Sequence, residues 1–234
     1  MNCKKHIPNI LTCGNLVCGC MAITAALYHN EQLALIFIIC GAAFDFCDGM
    51  VARLLHVSSP IGKELDSLAD VVTFGVAPSA MLVMMQGSMQ CPLWMAEYLI
   101  WFKFVGFVMA AFSALRLAKF NLDTRQSTSF IGLPTPANAL FWGSLIVGQG
   151  DWLLDIPNGF IILVVLEFIF CYLLVAELPL FALKFKNLSW QDNWIKYVFL
   201  IGCAPCFLLG WSCFAAIVVW YLALSFVALF VRHK

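Results

Sequence analysis

Apolar stretches long enough to cross a bilayer recur from one end of this chain to the other. A helical span needs about twenty apolar residues. Eight segments approach that length: 7–28, 33–56, 66–86, 93–118, 132–149, 158–183, 195–209 and 211–231. Long unbroken blocks are the signature of helices. A membrane β-barrel would show segments of about ten residues with alternating polarity. The composition agrees: 63% of the 234 residues are hydrophobic and only 11% are charged, too little polar surface for a soluble domain. The expected fold is an all-α integral membrane protein, a polytopic helical bundle. The seventh segment is short and holds Gly202 and Pro205, so the last two spans read as a tilted hairpin. Counted that way, the chain is six long helices plus a C-terminal pair. The organisation expected is a single membrane domain over 1–234, with a core over 1–184 and a helical hairpin over 194–231.

Charge sets the orientation. One set of span ends carries Lys4, Lys5, Arg53, Lys63, Arg116, Lys119, Arg125, Lys184, Lys186, Lys196, Arg232 and Lys234, while Lys103 is the lone basic residue of the other set. Cytoplasmic loops collect Lys and Arg, so both termini are expected in the cytoplasm. Small size and this orientation suggest a bacterial inner membrane. Thirteen basic and thirteen acidic residues cancel, so no bulk charge recruits nucleic acid. Most of the eleven cysteines lie inside apolar runs, and Cys203 and Cys206 have no second pair or nearby histidine. They read as small packing residues rather than a metal or redox pair. The apolar stretch after Lys4 and Lys5 is long enough to span, unlike a cleavable signal. The tryptophans Trp94, Trp101, Trp152, Trp190, Trp194 and Trp211 fall near span ends, as an interfacial belt would.

Against this apolar background four aspartates stand together. Asp45 and Asp48 are spaced i, i+3 near the end of the second span, and Asp66 and Asp70 are spaced i, i+4 at the start of the third. Each pair lies on one helical face, and a connection of about ten residues makes the two helices antiparallel neighbours. Charge inside a span costs on the order of 2.5–3.5 kcal/mol per residue on insertion scales, and clustered carboxylates repel. They stay ionised only with positive charge between them. All-oxygen ligation suits a hard divalent cation, Mg²⁺ or Mn²⁺. Two such ions about 4 Å apart clamp a phosphate and stabilise its entering and leaving oxygens. Gly49, next to Asp48, lets a ligand approach the backbone. The competing reading pairs individual aspartates with Arg53 or Lys63.

The pattern D-x2-D-G-x2-A-R-x8-G-x3-D-x3-D, which runs here from Asp45 to Asp70 with every fixed position matched, resembles the signature of the CDP-alcohol phosphotransferase family. That resemblance implies a membrane enzyme with a six-helix core, usually a homodimer, that transfers a substituted phosphate from a CDP-linked donor to an alcohol and releases CMP. It implies that Asp45, Asp48 and Asp66 bind metal, and that Asp70 is the general base and also touches metal. It further implies that Gly49, Ala52, Arg53 and Gly62 hold the CDP moiety. Asn9, Thr12 and Asn15 are polar groups in the first span. They either hydrogen-bond cytosine or satisfy a neighbouring helix, and Asn9 and Thr12 are carried as CDP-binding candidates.

Flanking segments resemble one branch, the phosphatidylserine synthases. They are Ile7-Pro8-Asn9, Gly14-Asn15-Leu16, Thr73-Phe74-Gly75-Val76-Ala77-Pro78, Arg116 to Asn121, and Gly132-Leu133-Pro134-Thr135-Pro136-Ala137. In the phosphatidylglycerophosphate synthases the last aspartate is typically followed by Lys; here Val71 stands there. The resemblance implies CDP-diacylglycerol as donor and L-serine as acceptor. Serine's carboxylate calls for a cation, and Arg116 and Lys119, at i, i+3, are the acceptor-binding candidates, with ordinary positive-inside flanking as the other reading. Asn121 and Asp123 fit a turn cap. Glu167 and Glu177 are intramembrane acids, open between the serine ammonium, a lysine partner and a dimer contact. His6, His29, His56 and His233 sit at span ends and read as solvated. Pro134 and Pro136 bend or begin the fifth span.

Two other functions compete. Another acceptor of the same family, glycerol 3-phosphate or inositol phosphate, carries a phosphate dianion and favours a denser basic pocket. An ion transporter would need polar groups on both sides of the midplane, whereas these acids concentrate on one side.

Overall fold

The computed structural model describes residues 6–57, 59–122, 130–181 and 189–232. Two helices open the bundle, α1 (His6–Leu27) and α2 (Glu31–Leu54), joined by a turn in which His29 takes a positive φ of 55°. The Asn30 side chain caps α2 by accepting from the Leu33 N–H at 3.1 Å, as Asn commonly does at a helix start. The pair packs closely because its facing residues are small: Ala22, Ala25, Ala26 and Ala34 are buried between the helices and their neighbours.

The next helix begins earlier than the hydropathy suggested. Ser59 caps α3 (Pro60–Asp70), its hydroxyl accepting from the Gly62 N–H at 3.0 Å, and Pro60 occupies the first helical turn. Proline is preorganised for that position and loses no hydrogen bond there. Only residues 55–59 therefore link the two aspartate-bearing helices, and Asp66 sits well inside α3 rather than at its start. A π-helical turn (Val71–Val76) follows Asp70 directly and leads into α4 (Ala77–Ser88), which is buried along most of its length. Pro78 falls in its first turn.

The fourth rod is assembled from 3-10 turns (Leu93–Tyr98 and Lys103–Phe107) around α5 (Leu99–Phe102), and it ends in α6 (Val108–Leu122). Two residues of strand, β1 (Phe130–Ile131), precede α7 (Thr135–Asp155) and α8 (Gly159–Val175). β1 pairs antiparallel with β2 (Pro179–Leu180), Phe130 opposite Leu180 and Ile131 opposite Pro179. The last two helices are α9 (Trp190–Cys206) and α10 (Cys213–Arg232). Gly210, at φ 58° and ψ −125°, breaks the path between them. Phe141, Trp142 and Phe170 form an aromatic cluster in the core, with Phe141 and Phe170 stacked 4.0 Å apart.

The chain is thus an all-α polytopic membrane protein, with strand among the described residues limited to the β1–β2 pairing. A helical rod stands at each of the eight expected positions. Five described stretches are long and apolar enough to cross a membrane: His6–Leu27, Glu31–Leu54, Pro60–Ser88, Leu93–Leu122 and Asn193–Leu229. The fifth and sixth expected spans, α7 and α8, fall outside that set. The α8 helix stops at Val175 rather than near 183, because Ala176 turns extended and the chain enters β2. Its 17 residues rise about 25 Å, short of a bilayer core. Pro134 and Pro136 begin α7 rather than bend it. Lys4, Lys5, Arg125, Lys184, Lys186 and Lys234, used in the charge reading, lie outside the described residues, as do Asp123, expected in a turn cap, and His233, expected to be solvated.

Candidate active site

The four aspartates converge as their spacing demands. Asp45 and Asp48 come from α2; Asp66 and Asp70 come from α3. Single carboxylate oxygens of Asp45, Asp48 and Asp66 all lie within 4.8 Å of one another. Asp45 and Asp66 face each other across the helix pair, close enough to interact directly. Two carboxylates so close need a proton or a cation between them, and Asp66 Oδ1 is buried with no hydrogen-bond partner. An orphaned carboxylate oxygen within a cluster of three acids fits a hard cation.

Asp70 sits one turn further along and is differently held. It is buried, and the Asn15 side-chain amide of α1 donates to its Oδ1 at 3.0 Å. The π-helical turn secures this contact from below: Thr73 Oγ1 donates to the Asn15 backbone carbonyl at 2.9 Å. Glycines permit that crossing. A Cβ on Gly19 would stand 2.5 Å from Thr73 Oγ1 and 2.9 Å from Thr73 Cα. One on Gly41 would stand 2.5 Å from Thr73 Cγ2. On the same face of α1 as Asn15, Thr12 Oγ1 donates to Asp48 Oδ2 at 2.6 Å, with the Pro8 carbonyl at 3.1 Å sharing that hydroxyl.

Beside the cluster opens a cavity of about 260 Å³. Asn9, Thr12, Gly49, Ala52 and Gly62, five of the six CDP-binding candidates, line it together with Asp48 and Asp66. Arg53 does not; it is exposed and its Nε donates to the Gly49 carbonyl at 2.9 Å. Lys63 reaches the cavity, and its Nζ donates to the Asn121 carbonyl at 3.2 Å. The bonds of both cations thus go to backbone carbonyls. A Cβ added to Gly49 would meet nothing within 4 Å. Packing of the protein does not require glycine there; the bare backbone faces cavity space, as a ligand cradle would.

The two acceptor candidates part company. Arg116 is buried within electrostatic reach of Asp70, its guanidinium 5.7 Å from the Phe120 ring, and its Nε has no partner. Lys119, three residues on, is exposed. The Asn121 amide donates to Ser67 Oγ at 2.7 Å and ties α6 to α3; the turn it was expected to cap with Asp123 lies outside the described residues. Glu167 lies away from the aspartates. It is fully buried, and it accepts from Gln86 Nε2 at 2.9 Å. Glu177 is exposed just past the end of α8. Cys206 Sγ donates to the Gly202 carbonyl at 3.3 Å within its own helix, as a packing residue does.

Residues 5–231 match the CDP-alcohol phosphatidyltransferase family. The chain belongs to that family. Among its relatives, a CDP-diacylglycerol–serine O-phosphatidyltransferase of Bacillus subtilis is 42% identical over 136 residues, which is 56% of this chain and 70% of that protein. One of the same name from Helicobacter pylori is 38% identical over 135 residues, covering 57% of this chain and 54% of the relative. A Saccharomyces cerevisiae protein of that name is 35% identical over 172 residues, 66% of this chain and 59% of the relative. The aligned part thus spans little more than half the length of the last two.

Sequence reasoning left Asn15 open between cytosine and a neighbouring helix, and it passed over Thr73 as a contact. The available signal was the spacing of Pro8, Thr12, Asn15 and Gly19 at helical intervals on one face of an otherwise apolar span.

Proposed function

We propose that this chain transfers the phosphatidyl group of CDP-diacylglycerol to the hydroxyl of L-serine, giving phosphatidylserine and CMP. The observation that carries the reading is the cluster of Asp45, Asp48 and Asp66, of which Asp48 and Asp66 line one cavity, with Asp70 buried a turn further along within electrostatic reach of Arg116. The similarity to proteins named for the serine reaction supports the choice of acceptor. Asp45, Asp48 and Asp66 would hold Mg²⁺ or Mn²⁺, two ions in all, with Asp70 completing the set. Such ions, when bound, neutralise pyrophosphate charge and make CMP a better leaving group.

The remaining chemistry belongs to the chain. The 260 Å³ cavity takes the CDP portion against Gly49, Ala52 and Gly62, with Asn9 and Thr12 offering polar groups. The acyl chains stay in the bilayer. The serine hydroxyl gives its proton to Asp70 as its oxygen bonds to the phosphatidyl phosphorus, and the bond to the CMP oxygen breaks. A base must act in that step because an un-ionised alcohol is a poor nucleophile. Asn15 keeps the Asp70 carboxylate aimed, since its amide fixes one oxygen and leaves the other for the proton.

In this reading residues 1–184 carry the catalysis and 194–231 form an accessory pair. The protein works as a homodimer, with its site and both termini on the cytoplasmic side of a bacterial inner membrane. Purified protein supplied with CDP-diacylglycerol, Mg²⁺ or Mn²⁺ and a panel of alcohols tests it. CMP release should depend on serine and coincide with phosphatidylserine. Release that depends on another alcohol, or on none, overturns it.

A further inference from the structure

The segment from Gly132 to Ala137 has no part in the donor cavity, yet it is built with unusual constraint. Gly132 takes φ 75°, and a Cβ there would stand 2.7 Å from the Leu174 carbonyl and 3.0 Å from that of Ala176. Its N–H donates to the Leu178 carbonyl at 3.0 Å, and the Leu133 N–H to the Leu173 carbonyl at 2.9 Å. These bonds clamp the segment onto the end of α8 and fix where α7 begins. The α7 start carries no side-chain cap and no acid in its first turn. Pro134 and Pro136 have no N–H, so the turn presents those of Thr135 and Ala137 at the positive end of a 21-residue helix.

Two side chains on this turn's inner face are polar, buried and unpaired. Thr135 is 1% exposed and its hydroxyl has no partner. Asn138 is 0% exposed, and neither atom of its amide has one. Burying such groups without hydrogen bonds is costly, so a chain that keeps them in a fixed position has something for them to bind. Arg116, with its unpartnered Nε, stands nearby: α6 and α7 both pack on the π-helical turn that follows Asp70. Tyr221, within electrostatic reach of Arg116, lines one small cavity with Pro134 and Ala137. An uncapped helix start and a guanidinium are both anion receptors.

We infer that the first turn of α7, through Thr135 and Asn138, forms with Arg116 the site that recognises the carboxylate of the acceptor. The inference rests on the proposed reaction and deepens it: the acceptor is a small hydroxy acid selected by its carboxylate, on the Asp70 side of the donor cavity.

The test is the split between the two substrates' KM values. Thr135→Val keeps shape and removes the hydroxyl; Asn138→Ala removes the amide. Each should raise KM for serine about tenfold or more, the loss of one hydrogen bond to a charged group, and move KM for CDP-diacylglycerol less than twofold. Thr135→Ser should restore the serine value. Folded variants with unchanged serine KM overturn the assignment, and so does an equal rise for both substrates. The unmodified protein gives a second measurement that no folding defect can blur. 3-Hydroxypropionate, which keeps the carboxylate and hydroxyl, should compete with serine, and ethanolamine should not. Stronger competition by ethanolamine overturns the carboxylate assignment. If the wild type releases no CMP with serine, the proposed reaction fails. The variants are then measured with whichever alcohol is active, and a raised KM for one without a carboxylate refutes the carboxylate site separately.

Discussion

Gly49 separates stability from activity in one substitution. It lies within α2, one residue past Asp48, and an added Cβ meets nothing within 4 Å. Replacing a helical glycine by alanine should stabilise the fold by about 0.5–1 kcal/mol, chiefly by restricting the unfolded chain. For a chain of this size that raises the melting temperature by about 1–4 °C. The new methyl projects beside a cavity of about 260 Å³, the space assigned to the CDP portion of the donor. Crowding a fitted ligand by one methyl costs about 1–3 kcal/mol, or roughly 5- to 150-fold in donor binding. Gly41→Ala is the comparison, because its Cβ would stand 2.5 Å from Thr73 Cγ2 and 2.9 Å from Asn15 Oδ1. That variant should lose about 1–3 kcal/mol of stability by overpacking. The assay is paired: thermal unfolding in detergent, and CMP release against CDP-diacylglycerol concentration. Gly49→Ala should melt higher and bind donor worse. A Gly49→Ala protein with wild-type donor KM would show that nothing occupies the cavity at that wall.

Other perturbations address the neighbouring groups. Thr12→Val removes the 2.6 Å bond onto Asp48, and the Mg²⁺ or Mn²⁺ concentration for half-maximal activity should rise about 10- to 100-fold; an unchanged metal titration would refute the positioning role. Asp66→Asn should abolish most activity at any metal concentration, and activity retained in excess chelator would contradict metal use altogether. Asp70→Asn should lower turnover by about 10²- to 10⁴-fold with donor binding largely kept, measured by single-turnover kinetics; an equal fall in donor binding would make Asp70 chiefly a ligand. Glu167→Leu should destabilise the bundle by about 1–3 kcal/mol, because it strands the buried Gln86 amide. Glu167→Gln should unfold close to wild type with serine KM unaltered, and a large rise in that KM would return Glu167 to the acceptor site.

The aspartate cluster was legible because i, i+3 and i, i+4 spacings on two adjacent helices leave carboxylates little choice but to meet. Helix count followed from the apolar blocks, while helix ends did not. Hydropathy is blind to Ser59 and Pro60, so α3 was expected to begin near its first aspartate. The short extended pairing at 130–131 and 179–180 is also invisible to a hydropathy window, so α8 was drawn eight residues too long. Partners across the bundle were the least accessible. Arg116 and Lys119 look equivalent in sequence, only about 60° apart on the helix, but Lys119 lies in the last turn of α6, where residues 118–120 are all exposed. Gln86 and Glu167 are 81 positions apart, and no local rule links them.

The donor cavity is lined entirely by residues between Pro8 and Asp66. Its walls are α1, α2 and the start of α3, neighbours in sequence as well as in space, so its contacts close only short loops. Synthesis proceeds from the N-terminus at about 5–20 residues per second. All residues of that cavity are therefore synthesised seconds before Arg116 or Asn138. On the proposed reading, the donor side of the site is made before the acceptor side, and the later helices follow the ones they pack on.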